Sequence, residues 1–114
     1  MSRRSEAAAL SDVAPVFAAL GDPTRLRIIA RLCSDGPLSI TRLSESAPVT
    51  RQAITKHLQA LSEAGLLRDT RVGREHLWAF EPKRLEQARQ CLEQISAQWD
   101  AALERLQAHV EREP

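Results

Sequence analysis

Apolar residues recur along this chain first at helical spacing, then at every second position, then at helical spacing again. Val13, Phe17 and Leu20 make one stripe and predict a first helix from about Val13 to Leu20. Asp12 would cap it, and Pro15 would fall in its first turn, where a missing N–H costs nothing. Asp22-Pro23 restarts the chain as N-cap and first helical residue. The second helix then turns Leu26, Ile29, Ala30 and Cys33 inward and ends at Asp35-Gly36-Pro37. A short third helix from near Ser39 to near Ser46 buries Ile40 and Leu43, and Ala47-Pro48-Val49 forms a turn. Ile54, Leu58 and Leu61 mark a fourth helix over about 50–64, with Thr50 as N-cap and Gly65 as its left-handed stop. From Leu66 the period falls to two: His76, Trp78 and Phe80 alternate with Leu77 and Ala79. Val72-Gly73-Arg74 is the hairpin tip of a ribbon over about 66–80, and Glu81-Pro82 closes it. In the last helix Leu85, Ala88, Leu92, Ile95, Trp99, Ala102 and Leu106 alternate steps of three and four. That is a coiled-coil-like seam, and a long helix with a narrow stripe needs a partner helix.

The predicted order is α-α-α-α-β-β-α: mainly α, with one small β-hairpin. It divides into a flexible tail (1–11) with a helical alternative from Glu6, a winged helix-turn-helix unit (12–82) and a long C-terminal dimerisation helix (83–114). The fourth helix carries the chemistry. Arg51, Gln52, Thr55, Lys56 and Gln59 lie away from its apolar face. Arg and Gln can read base edges, and Lys and Thr suit phosphates. Arg71 and Arg74 at the ribbon tip can reach the backbone or a minor groove. Ser39, Thr41 and Arg42 on the supporting helix can add a phosphate contact. His57 borders the apolar face and suits either a structural hydrogen bond or a phosphate. Gly73 reads as a turn former, and His76 and Trp78 as supports of the wing.

Composition narrows the field. The 114 residues suit one domain, and 43% hydrophobic residues allow a thin core that a dimer interface would supplement. Two Trp, two Phe and no Tyr argue against a stacking platform for single strands. The net charge of +1 is modest, but its distribution is uneven. Residues 50–75 hold Arg51, Lys56, Arg68, Arg71 and Arg74 against Glu63, Asp69 and Glu75, whereas 86–113 lean acidic. No run is long enough to cross a membrane and no signal peptide is evident, so a cytoplasmic protein is expected. Three scattered His, no phosphate-binding Gly loop and no nucleophile–base signature argue against an enzyme, and no cofactor is expected.

The chain resembles the ArsR-type winged-helix repressors over roughly residues 13–110. The resemblance rests on Phe17-Ala18-Ala19-Leu20-Gly21-Asp22-Pro23-Thr24-Arg25-Leu26-Arg27-Ile28-Ile29, on the whole of 50–61, and on Gly65-Leu66-Leu67 through Gly73-Arg74. The terminal helix with Trp99 and Leu103 is similar to a metal-independent branch. The resemblance implies a homodimer joined through its terminal helices, binding a near-palindromic operator in double-stranded DNA. The expected interface is Val13, Phe17, Leu85, Ala88, Leu92, Ile95, Trp99, Ala102, Leu103 and Leu106; the expected DNA contacts are Ser39, Thr50, Arg51, Gln52, Thr55, Lys56, His57, Gln59, Arg71 and Arg74.

The family's metal sensors do not match. Where thiolate sensors carry Cys-x-Cys this chain reads Ser39-Ile40-Thr41-Arg42-Leu43-Ser44, and His109 has only Glu111 and Glu113 near it. One imidazole cannot close a tetrahedral site, so no regulatory metal is expected. Cys33 and Cys91 do not make a disulfide framework; Cys33 falls a turn late and Cys91 early for the thiol pair that some members use. Free cysteines are usually buried as small hydrophobes. The alternatives are a thiol- or small-molecule-responsive repressor of the same fold, whose effector leaves no motif, and a protein-interaction winged helix that has lost DNA binding.

Overall fold

The computed structural model describes residues 3–45 and 47–112, with side chains from residue 7 onward. Five helices and one hairpin follow in the expected order: α1 (Arg3–Leu20), α2 (Pro23–Asp35), α3 (Ile40–Glu45), α4 (Arg51–Glu63), β1 (Leu67–Val72), β2 (Glu75–Phe80) and α5 (Pro82–Arg112). The expected helix end near Ser46 and the last two residues of the chain lie outside the described residues.

Local chemistry sets most boundaries. Asp22 accepts from the N–H groups of Thr24 and Arg25 at 2.8 and 3.1 Å, and Pro23 opens α2 behind it. Ser39 Oγ accepts from Arg42 N–H at the start of α3. Thr50 Oγ1 accepts from Ala53 N–H at 3.1 Å and starts α4. The other end of α4 closes with paired bonds, Leu66 N–H to Leu61 C=O at 3.0 Å and Gly65 N–H to Ser62 C=O at 2.9 Å. This Schellman pattern needs the left-handed residue that Gly65 supplies at φ 80°. Leu66, fully buried, follows directly and anchors the corner.

Ile54, Leu58, Leu61, Leu66 and Val16 are the most deeply buried large side chains. Ile28, Ile29 and Leu32 of α2, Leu43 of α3, and Ala88 and Cys91 of α5 complete the core around them. The antiparallel hairpin pairs Leu67 with Phe80 through to Val72 with Glu75, leaving Gly73 and Arg74 as a two-residue turn. Gly73 has φ 63° and Arg74 a negative φ, the pattern of a type II′ turn. Leu38 adds one rung, exchanging bonds of 3.0 and 2.8 Å with Trp78. That rung ties the hairpin to the segment just before α3.

Several expectations need correction. The first helix begins at Arg3, so the tail expected over 1–11 is helical from that residue, and Pro15 lies well inside it. Glu6-Ala7-Ala8-Ala9-Leu10 are strong helix formers and carry the helix back. Pro15 and Ser11 both sit on the exposed side, where water can serve the carbonyl that proline leaves unbonded. Asp12 is not a cap; its carboxylate takes a 2.9 Å bond from Arg84 Nη1. The buried stripe of α1 is Val13, Val16 and Ala19, and Phe17 faces out. On α2 Leu26, Ala30 and Cys33 are exposed, and the inward face is Ile28, Ile29 and Leu32. Val13 (3% exposed) and Ala88 (1%) were expected at an interface between copies but belong to the protomer's own core, and Leu85 packs partly against it. The cause is common to both: the start of α5 lies along α1, so the first turns of the seam are used within one chain.

Beyond Cys91 the last helix leaves the core. The radius of gyration is 19.3 Å, whereas a compact domain of this length has about 13 Å. Leu92, Ile95, Trp99, Leu103, Leu106 and Val110 stand exposed along the projecting part, and Ala102 is half-buried. No helix among the described residues is long and apolar enough to cross a membrane.

Candidate DNA-binding face

The fourth helix is held by its apolar side and offers its polar side. Ile54 and Leu61 are wholly buried and Leu58 nearly so, fixing the rotation of the helix about its axis. That rotation leaves Arg51, Gln52, Lys56 and Gln59 exposed together, with Thr55 half-exposed beside them. Thr55 Oγ1 donates back to Arg51 C=O at 3.0 Å, which spends its proton and leaves the oxygen as an acceptor. Thr50, expected as a contact, is exposed at the helix start with its hydroxyl oxygen engaged as the cap.

His57 is half-buried on the flank towards α2. The Asp22 carboxyl is held below its ordinary range, first by the Arg25 N–H, with Thr24 N–H and the charges of His57 and Arg25 adding to it against the opposing pull of burial.

The wing brings a second cationic group. Arg71 and Arg74 are exposed at and beside the turn, with Val72 between them. His76 Nε2 lies 3.2 Å from Asp69 Oδ2, and its ring sits 4.9 Å from that of Trp78. His76 and Trp78 are therefore engaged within the wing and stiffen its root. Between the wing and the helices runs a cleft of about 420 Å³, lined by Ser39, Thr41 and Arg42 of the α3 start, Arg51 of α4, and Glu75 and His76 of β2. Sequence reasoning placed Ser39, Thr41 and Arg42 on a supporting helix; it had no signal that would set Arg42 and Arg51 on the same cleft.

Ion pairing occupies some cations and leaves others open, those of this face among them. Arg31, Arg68, Arg84 and Arg89 each have a carboxylate within salt-bridge distance. Among the described residues Arg51, Lys56, Arg71 and Arg74 have none, although Glu63, Asp69 and Glu75 are close in sequence. Uncompensated cations on one helix face and one hairpin tip are suited to an external polyanion. No group of three or more His, Cys, Asp or Glu side chains among the described residues is arranged to hold a metal ion.

A helix-turn-helix whose second helix is polar outward, followed by a hairpin with a basic tip, defines a winged helix-turn-helix DNA-binding protein. Comparison with known proteins gives the relationship. A family model described as a helix-turn-helix domain matches residues 20–70. The HTH-type transcriptional regulator Rv2034 of Mycobacterium tuberculosis is 35% identical over 85 residues, covering 75% of this chain and 76% of that protein. An ArsR-like transcriptional regulator from Rhodococcus sp. RHA1 matches with a TM-score of 0.78 at 38% identity, over 90% of this chain and 96% of the other. The homodimeric winged helix-turn-helix DNA-binding domain of Mb0332 from Mycobacterium bovis, a possible ArsR-family regulator, matches with a TM-score of 0.61 at 28% identity, over 86% and 88%. The chain belongs to the ArsR family of winged helix-turn-helix transcriptional regulators. Proteins of this family are regulators and not enzymes.

Proposed function

We propose that this chain is a homodimeric repressor in the cytoplasm that binds a near-palindromic operator in double-stranded DNA. The observation that carries the reading is the set of unpaired cations, Arg51, Lys56, Arg71 and Arg74, displayed on α4 and the wing. In this reading Arg51, Gln52 and Gln59 face base edges, where the Thr55 oxygen can accept from a base amino group, and Lys56, Thr50 and Ser39 lie against phosphates. The wing lays Arg71 and Arg74 along the adjoining backbone. Supporting the dimer is the apolar stripe of Leu92, Ile95, Trp99, Leu103 and Leu106, too exposed for a helix that works alone. In this reading exposed Phe17 of α1 and half-buried Ala102 of α5 join that interface. The Mycobacterium bovis relative is itself described as homodimeric.

A two-fold dimer sets its paired helices about 34–36 Å apart, one turn of duplex. Six to ten neutralised phosphates would give a log–log salt slope of roughly −5 to −9. Selection of bound fragments from random duplex DNA by the purified protein tests the proposal. The expected result is a consensus of two inverted half-sites about 10 base pairs apart, centre to centre. Recovery of unrelated sequences, or of a single half-site, would overturn it.

A further inference from the structure

A second concavity lies outside the face described above and shares no exposed residue with it. One side of α2 (Thr24, Arg27, Ile28 and Arg31) faces Leu43 of α3, the Ala47-Pro48 turn and Ile54 of α4 across a cleft of about 230 Å³. Its floor is apolar, made by the buried side chains of Ile28, Leu43 and Ile54. Its rim is cationic, and no acidic residue lines it. Arg31 is already committed: Nη1 donates to Arg42 C=O at 2.9 Å and Nε lies 3.4 Å from Asp35. Arg27 is exposed and has no carboxylate within salt-bridge distance among the described residues.

These features constrain an occupant. The volume lies below the roughly 300–1,000 Å³ of pockets for drug-sized ligands, so the ligand is small. An apolar floor excludes a bare inorganic anion, which would gain nothing from Ile28, Leu43 and Pro48. A cationic rim without acids disfavours amines. The free N–H groups of Thr24 and Arg25 are taken by Asp22, so an anionic head must rely on the Arg27 guanidinium and the Thr24 hydroxyl. A carboxylate matches the planar fork of a guanidinium. We propose that this cleft is an effector site for a small amphipathic carboxylate, an aromatic acid or a medium-chain fatty acid.

The position of the cleft supplies the coupling. Ala47 and Pro48 form the turn that sets α3 against α4, and Ile54 anchors the reading helix from below. The Arg31–Arg42 bond ties α2 to the same unit. A molecule wedged among these elements prefers one spacing of α2, α3 and α4. Whatever it does to operator affinity, the operator does to its own affinity by the same factor. Occupancy of the cleft is independent of the DNA-binding reading; the effector role rests on it.

The test titrates the full-length protein with benzoate and octanoate, read by amide ¹H–¹⁵N spectra, with benzyl alcohol and inorganic phosphate as partial mimics. Expected are saturable shifts centred on residues 24–31, Leu43, Ala47 and Ile54. Both mimics should bind more weakly by roughly tenfold or more, and so should the acids to Arg27→Gln. Ala47→Phe, which fills the cleft from its half-buried position in the turn, should abolish the shifts while keeping the native spectrum elsewhere in the chain. Absence of saturation with both acids overturns the proposal. Phosphate binding as tightly as the acids also overturns it, and marks the cleft as a seat for the DNA backbone. On a selected operator, the bound acid should change duplex affinity in the wild type and not in Arg27→Gln; acid binding with unchanged duplex affinity refutes the effector role. If no duplex is bound at all, the functional reading fails while the spectra still decide the cleft.

Discussion

Trp99→Ala isolates the dimer reading because Trp99 contributes nothing to the protomer's own core. Its side chain is 63% exposed on the projecting part of α5. A tryptophan can bury up to about 250 Å², so about 160 Å² of this one is open to a partner. At ~25 cal/mol per Å² complete coverage is worth about 4 kcal/mol for each copy. Alanine retains some of that area, and a two-fold interface counts the change twice. Allowing for incomplete coverage, the loss is about 3–6 kcal/mol, or roughly 10²- to 10⁴-fold in the dimer dissociation constant. Sedimentation equilibrium over a concentration series reads this directly. Circular dichroism should show an unchanged helix content, since the removed ring is not part of the protomer's core. Operator affinity should fall with the dimer, because two half-sites held by one particle act at high effective concentration. Trp99→Glu should go further, placing two carboxylates near the axis and leaving monomers at micromolar concentration. Dissociation constants of both variants within threefold of the parent would refute the assignment of this surface as the interface.

Other perturbations address the DNA face and the caps. Arg74→Ala should weaken binding alike on all sequences and flatten the salt slope by roughly 2, one phosphate per wing; an unchanged slope would remove the wing from the contact. Gln52→Ala should relax preference at one base step in each half-site, at about 1–3 kcal/mol each, and an unaltered sequence logo would show that Gln52 does not read a base. Asp22 tests the α2 cap through pH. Its folded pKa lies below the ordinary 3.8, so its contribution to stability is present above that value and is lost as pH falls through the folded pKa. Asp22→Asn keeps a capping oxygen without the charge, so its thermal midpoint should fall less steeply than the parent's below about pH 5. Parallel curves would mean that the Asp22 charge is not felt.

What could be read from the sequence was set by how distinctive each local signal is. The fourth helix is legible because a polar face, a buried triplet at 54, 58 and 61, a threonine cap and a glycine stop all agree. The wing is legible because the period changes and Gly73 marks the turn. The second helix was misread for a physical reason. Leu26, Ile28, Ile29, Ala30, Leu32 and Cys33 cover much of its circumference, so periodicity admits two faces, and packing against α1, α4 and β2 chose Ile28, Ile29 and Leu32. The first helix offered Phe17 and Val16 side by side, and the smaller residue went inward. Long-range features left no mark at all: the Leu38–Trp78 rung and the Arg84–Asp12 pair join residues 40 or more positions apart.

The clasp at Arg84 explains how a seam on α5 can govern a reading head on α4. Its guanidinium donates to the carboxylate of Asp12 on α1 and to Gln87 within α5. Its aliphatic stem lies against Gly65, so closely that a Cβ there would fall 2.8 Å from Arg84 Cγ. Gly65 is thus required twice, by its positive φ and by the approach of α5. The end of the reading helix, the root of the wing and the start of the last helix therefore meet at one packed corner with little freedom to pivot. In the proposed dimer the distance between reading helices is fixed by this corner in each protomer and by the seam between them. Half-site spacing then becomes a property of the α4–α5 angle, set by Gly65 and Arg84, and base preference a separate property of the exposed residues of α4.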